Sequence, residues 1–346
     1  MIPKIGDRAR EVLFAVIDDF IKHGDPVGSR TVSKRKDIEV SSATIRNIMS
    51  DLEEIGFLTQ PHTSAGRVPT DNAFRFYVDS LVKVTDLTRS EELEMERIMR
   101  PQSTELKDVI KETSRVLSEM SKYIALVSTP SFTDTVLKQI DFVRLSGSKI
   151  LTILVSSSGM IYNKIVTIEE VLDQEKLDWM SRYLNDVLSD LTLVEVRDKI
   201  LEEMQNEKNL YDELLIKALS ISDTVINEEI IDDEIFIEGS TNIFSHPEFT
   251  DINKMKRIFK AFENKHYLLK LLEKVAKADG IKVFIGSESE IKYISDCTLI
   301  ASPYEKGGQV LGSIGVIGPM RMNYSKIIPV VDFAASLVTR FLEEDD

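Results

Sequence analysis

Apolar positions in the first eighty residues recur at helical spacing, broken by short polar turns. In "RAREVLFAVIDDFIKH" (8–23), Val12, Ala15, Val16 and Phe20 share one stripe, and Gly24 follows as a stop. The turn "GDPV" leads to Ser29 as the cap of a short helix, "RTVSKRK". After "DIEV", Ser41 caps another helix, in which Ile45, Ile48, Met49, Leu52 and Ile55 form an apolar face ended by Gly56. "FLTQ" and "RVP" predict short strands around the tip "HTSAG", and Thr70 or Asp71 opens the helix "NAFRFYVDSLV". The order is three helices, a hairpin and a helix.

Farther on, "SEELEMERIMR" reads as a helix stopped by Pro101, and Leu106, Val109, Ile110, Thr113, Leu117 and Met120 mark another. The period then changes: "DFVRLSGSKILTILVSSSGMIYNKIVTI" is β-rich, with Ser-Gly turns. Residues 169–230 return to acidic, Leu-rich helical sequence, with a strand expected inside "LTLVEVRDKI". "IFIEG", the helical "NKMKRIFKAFENKHYLLKLLEKVAKAD", and the strands "IKVFIGS", "CTLIASPY" and "VLGSIGVIGPM" come next. A helix over 327–341 closes the chain. The expected class is α+β multidomain, with strands at 140–168 and 281–318 sharing one sheet interrupted by an insertion. The boundaries read as 1–85 for a helical head with a hairpin, 86–105 for a linker helix, 106–168 with 235–346 for a discontinuous sheet domain, and 169–234 for the insertion.

Charge alters this picture because it is segregated. The 346 residues carry a net charge of −15, yet residues 1–85 hold 12 basic and 12 acidic side chains. Between Pro26 and Ser50, Arg30, Lys34, Arg35, Lys36 and Arg46 face only Asp37 and Glu39. Attraction to phosphate is local, screened beyond about 8–10 Å, so an acidic whole does not exclude a basic reading head. The single cysteine, Cys297, excludes an intrachain disulfide and fits a small core residue in a reducing compartment. The N-terminus lacks the apolar run of a secretory signal, and no stretch approaches the ~18 apolar residues of a membrane span. A cytoplasmic protein is expected.

With Ile45, Met49 and Leu52 inward, the helix after Ser41 turns Ser42, Ala43, Arg46, Asn47 and Ser50 outward. Arg can donate two parallel hydrogen bonds to guanine and Asn can pair with adenine, while small neighbours allow close approach to base edges. The helix N-terminus, with Ser41 and Thr44, suits phosphate. Arg30, Thr31, Lys34 and Arg35 precede it, placed for backbone contacts that set register. His62, Thr63, Ser64, Gly66 and Arg67 lie at the hairpin, with Arg67 expected at the minor groove. Together these elements read as a winged helix-turn-helix. Elsewhere, "GSIGVIG" lacks dinucleotide-binding spacing and reads as strand, "SPYEKGGQVLG" as a hairpin turn, and the four histidines (23, 62, 246, 266) lack metal-ligand spacing. No nucleophile elbow occurs, so no catalytic set, metal or cofactor is expected.

The run "VSSATIRNIMSDLEEIGFLTQPHTSAGRVPTDNAFRFYVD", with "DCTLIASPY" and "GSIGVIGPMRMNY" near the C-terminus, resembles the HrcA family of heat-inducible transcription repressors along essentially the whole chain. The resemblance implies a winged-helix domain, a GAF-like domain and an inserted, mainly helical dimerisation domain. It also implies a homodimer on double-stranded inverted-repeat operator DNA of chaperone operons (grpE-dnaK-dnaJ and groEL-groES type), with the chaperonin GroEL as activity modulator and repression lost on heat shock. Two alternatives stand beside it: a metabolite-responsive regulator sensing a ligand in the GAF-like domain, and a DNA-organising protein without operator specificity.

Overall fold

The computed structural model describes residues 5–62, 65–81, 87–99, 106–129, 136–157, 161–168, 171–188, 191–192, 195–196, 199, 221 and 235–343. They divide into two units: Met1–Val127 with Ile235–Glu305 and Gly312–Asp346, and Ser128–Glu234 with Lys306–Leu311. Among the described residues, no helix is long and apolar enough to cross a membrane.

The first unit begins with α1 (Asp7–His23), α2 (Ser29–Val32) and α3 (Ser42–Glu54). Gly24 ends α1 with φ +76°, its N–H on the Phe20 carbonyl at 2.8 Å. The α2 helix is shorter than "RTVSKRK" suggests, and Ser29 does not cap it; Gly28 stands at that position, and the Ser29 hydroxyl lies 3.2 Å from that of Ser42. Ser41 caps α3 as expected, accepting from the Thr44 N–H at 3.2 Å. At the other end Gly56 takes φ +83° and the Phe57 N–H reaches back to the Leu52 carbonyl (2.9 Å), leaving Ile55 exposed rather than on the buried stripe. Strands β1 (Leu58–Thr59) and β2 (Val68–Pro69) pair antiparallel, and α4 (Asp71–Leu81) follows, capped by the Thr70 hydroxyl.

The expected linker helix is α5 (Arg89–Met99), and it packs rather than bridges. Its Met95 and Met99 are buried, and Glu96 pairs with Arg340 at 3.2 Å. The α6 helix (Leu106–Ser121) then leads into β3 (Ile124–Ser128), a strand that the hydrophobic pattern did not separate from its surroundings. All of its residues are buried, so it carries no alternation to read.

β3 lies second in a five-stranded sheet ordered β7 (Ile235–Glu238), β3, β10 (Gln309–Pro319), β9 (Cys297–Lys306), β8 (Lys282–Ile285). β3 pairs antiparallel with β10, with Ile314 opposite Val127 and Ile317 opposite Ile124, and β8 pairs antiparallel with β9. The helical segment expected over 253–279 forms two helices, α8 (Ile252–Glu263) and α9 (Lys265–Ala276), which meet at Asn264. Along β9 the pleat divides the layers. Cys297, Leu299 and Ala301 join the core of α8 and α9, while Thr298 and Ser302 bond Tyr324 (3.0 Å) and Asp332 (2.9 Å) of α10 (Tyr324–Glu343). Cys297 is thus a core residue, its thiol pKa pushed up by burial. Gly307 and Gly308, both at positive φ, form the β9–β10 turn.

The second unit holds β4 (Leu137–Arg144), β5 (Lys149–Ser156) and β6 (Ile161–Thr167), an antiparallel sheet of its own. This corrects the expectation that strands near 150 and near 285–315 share a sheet. The helix α7 (Gln174–Leu188) covers one face, with Leu177, Met180 and Leu184 against Ile140, Phe142 and Leu154. It also closes an edge. Asn185 exchanges hydrogen bonds with Ile140 (2.7 and 3.0 Å), Ser181 accepts from the Phe142 N–H (3.0 Å), and Gln174 accepts from the Arg144 N–H (2.8 Å). The strand expected in "LTLVEVRDKI" amounts, among described residues, to one bridge between Val136 and Thr192. Most of that segment, and of the helical block after residue 199, lies outside the described residues.

Two outcomes test this architecture. A Cβ on Gly315 would stand 2.7 Å from both the Ala301 Cβ and the Ile300 carbonyl oxygen, so Gly315→Ala should cost about 1–3 kcal/mol in denaturant unfolding. Burial alone would raise the Glu288 carboxyl, but the Arg75 guanidinium and the Ile285 N–H outweigh it and hold the pKa below the ordinary 4.5. A depressed carboxylate stabilises above its unfolded value, and that contribution is lost as pH falls through the folded one. The Tm advantage of wild type over Glu288→Gln should therefore be full near pH 6 and shrink toward about pH 3.

Candidate nucleic-acid interface

The outward face of α3 is open. Ala43, Arg46, Asn47 and Ser50 are exposed, while Ile45, Met49 and Leu52 are buried and Ile48 is half-buried. Ser42 is half-buried beside Ser29, which fixes the N-terminus of α3 against α2. Ser41 and Thr44 are exposed, their hydroxyls 2.9 Å apart. Arg30, Thr31 and Lys34 are also exposed, and among the described residues no carboxylate pairs with Arg30, Lys34 or Arg46.

Arg35 departs from the phosphate role expected of it. Its guanidinium donates to Asp19 (3.1 Å), Asp18 (3.4 Å), Asp37 (3.0 Å) and the Ala15 carbonyl (3.2 Å). Tyr77 donates its hydroxyl to the other Asp18 oxygen at 2.7 Å. One side chain thus ties α1 to the segment after α2, with α4 joined through Asp18. The Asp37 bond is the largest influence raising the Arg35 pKa, and Arg35 in turn holds the Asp37 carboxyl low.

Arg67 departs likewise. Its Nε donates to Glu53 of α3 at 2.7 Å, and its backbone N–H and carbonyl pair with Val27, both at 2.8 Å. Gly66 is needed for this approach, since a Cβ there would lie 2.5 Å from the Val27 carbonyl. Gly66 and Arg67 therefore dock the base of the hairpin instead of forming its tip. His62 is exposed near the tip, where the Gln60 amide donates to the Ala65 carbonyl at 2.9 Å; Thr63 and Ser64 lie outside the described residues. What spacing alone missed is the role of Asp18 and Asp19, two adjacent acids on α1 whose bonding partner, Arg35, lies 17 and 16 residues away. Among the described residues no group of His, Cys, Asp or Glu could hold a metal ion.

Residues 107–328 match the family described as the HrcA protein C terminal domain. The heat-inducible transcription repressor HrcA of Geobacter sulfurreducens is 46% identical over 342 residues, covering 98% of each chain. That of Syntrophobacter fumaroxidans is 45% identical over 341 residues, again 98% of each. A crystal structure described as a hypothetical protein shares the fold over 99% of this chain and 100% of its own, with TM-score 0.62 at 23% identity. Relatives this similar make the chain a transcriptional repressor of the heat-shock response, a DNA-binding class and not an enzyme. It belongs to the HrcA family.

The two kinds of arginine should separate experimentally. Arg35→Ala strands half-buried carboxylates and should lower stability by about 2 kcal/mol, whereas Arg46→Ala should leave the unfolding midpoint within about 0.5 kcal/mol of wild type. Thermal melts of both variants check this.

Proposed function

We propose that residues 1–81 act as a winged helix-turn-helix whose α3 reads bases in the major groove. The observation that carries this is an outward α3 face bearing unpaired Arg46 with Asn47, on a helix capped by Ser41. Arg46 and Asn47 contact base edges, with Ala43 and Ser50 allowing close approach. Arg30, Thr31 and Lys34 hold phosphates, and the hairpin around His62 touches the neighbouring backbone. Arg35 and Arg67 take no part beyond holding the head together.

Two copies then bind an inverted repeat upstream of chaperone genes in the cytoplasm. The support for pairing is the sheet face turned away from α7, where Val143, Leu151 and Ile165 form one row and Val155 and Ile161 another. Ile161 is 65% and Ile165 55% exposed, on the same face of β6, an edge strand of the three-stranded sheet. The remaining α/β domain is GAF-like in this reading, and GroEL modulates the active fraction. Pairing across long chain separations supports a chaperonin dependence, since loop closure is lost before β3 meets β10.

A footprint and titration on operator DNA tests the reading. Arg46→Ala should weaken operator binding by about 1–3 kcal/mol and relax discrimination at one base pair. Lys34→Ala should weaken all sequences alike and lower the salt slope by about one unit. Unchanged operator and scrambled-DNA affinities for Arg46→Ala would reject α3 as the reading element. Ile161→Lys with Ile165→Lys should give monomers by sedimentation and lose the two-fold symmetric footprint.

A further inference from the structure

The N-terminal head is fastened to the five-stranded sheet domain at three places. On α4, Arg75 grips both carboxylate oxygens of Glu288 and the Val283 carbonyl, with its Nε 2.8 Å from Glu288 Oε1. One turn earlier, Asp71 accepts from the Ser287 N–H at 3.3 Å and the Ser287 hydroxyl at 3.2 Å. Gly286 makes this fit possible: its φ is +55°, and a Cβ there would overlap the Asp71 carboxylate. The second fastening is aromatic. Phe74 lies 5.9 Å from Tyr324, which is buried at the head of α10 and held by Thr298 of β9. The third is at the end of α1, where Arg321 donates to the Ile21 carbonyl at 3.0 Å and pairs with Glu248.

Contacts at three points on two helices leave no single axis about which the head can swing. A bundle that only had to carry α3 to DNA could hang from the chain after Leu81 and would need none of them. We propose that this clamp is a specificity device: by locking the head to the sheet domain it sets which half-site spacing the repressor accepts, with Arg75, Asp71, Ser287 and Glu288 as its positioning residues. The inference rests on the reading of two copies on an inverted repeat. A loosely tethered head samples many separations and tolerates them, whereas a locked one concentrates its effective concentration at a single span.

The test uses the full chain as wild type, Arg75→Met, Arg75→Lys and Glu288→Gln. Each is titrated against duplexes whose two half-sites are moved apart by one, two and five base pairs, and against a single half-site. Wild type should lose roughly 10²-fold in affinity when the spacing moves by two base pairs. In Arg75→Met and Glu288→Gln the same change should cost less than about 10-fold, with single half-site affinity unchanged, and Arg75→Lys should fall between. Glu288→Gln opens the clamp from the sheet side without altering the head, so its profile decides the matter if Arg75→Met also weakens half-site binding. A spacing-selective wild type with an equally selective Glu288→Gln overturns the clamp alone. A wild type that binds one half-site as tightly as the pair removes the paired-copy reading, and this inference with it.

Discussion

A guanidinium can satisfy a carboxylate of its own chain or a phosphate of another molecule, but the hydrogen bonds given to one are withheld from the other. The N-terminal head is organised by how its arginines divide under that constraint. Arg35 faces three aspartates and a carbonyl, Arg67 is held by Glu53, and Arg75 by Glu288. These arginines fix helix to helix, hairpin to helix and head to sheet. Arg30 and Arg46 remain exposed on the surface that the others shape. The acidic residues of the head therefore shape its exposed surface by subtraction, since they decide which cations stay available.

Much of this head was legible in the sequence because its signals are local. The cap at Ser41, the stops at Gly24 and Gly56, and the spacing of Ile45, Met49 and Leu52 each act within a few residues, and the structure keeps them. The roles of Arg35 and Arg67 were not legible, because the partners that tie them to α1 and α3 lie 14 to 20 residues away and a lysine-arginine run looks the same whether paired or free. The sheet assignment failed for a related reason. β3 is buried throughout and has no period, and nothing in the composition of β5 marks it as belonging to another sheet than β10. Local pattern specifies an element; which sheet it joins depends on contacts between distant segments.

The two units solve the exposure of their sheets differently. The five-stranded sheet is sandwiched, with α8 and α9 on one face and α10 on the other, so that β9 is buried on both. The three-stranded sheet has one covered face and one covered edge, the edge closed by α7 side chains that imitate a neighbouring strand. Its other face keeps aliphatic side chains in solvent, a state that a stable chain tolerates when a further surface meets it.

The pairing of β3 with β10 has a consequence for how the protein is made. Val127 meets Ile314 across a separation of 187 residues, so on the ribosome β3 emerges well before its neighbour exists. At ordinary elongation rates that interval is on the order of 10–40 s. The helices of the head have by then left the exit tunnel, while the sheet to which they are fastened still lacks its central strand. Any product of premature termination before Pro319 would carry a complete head on an open, apolar sheet edge, and would be marked for degradation by that edge.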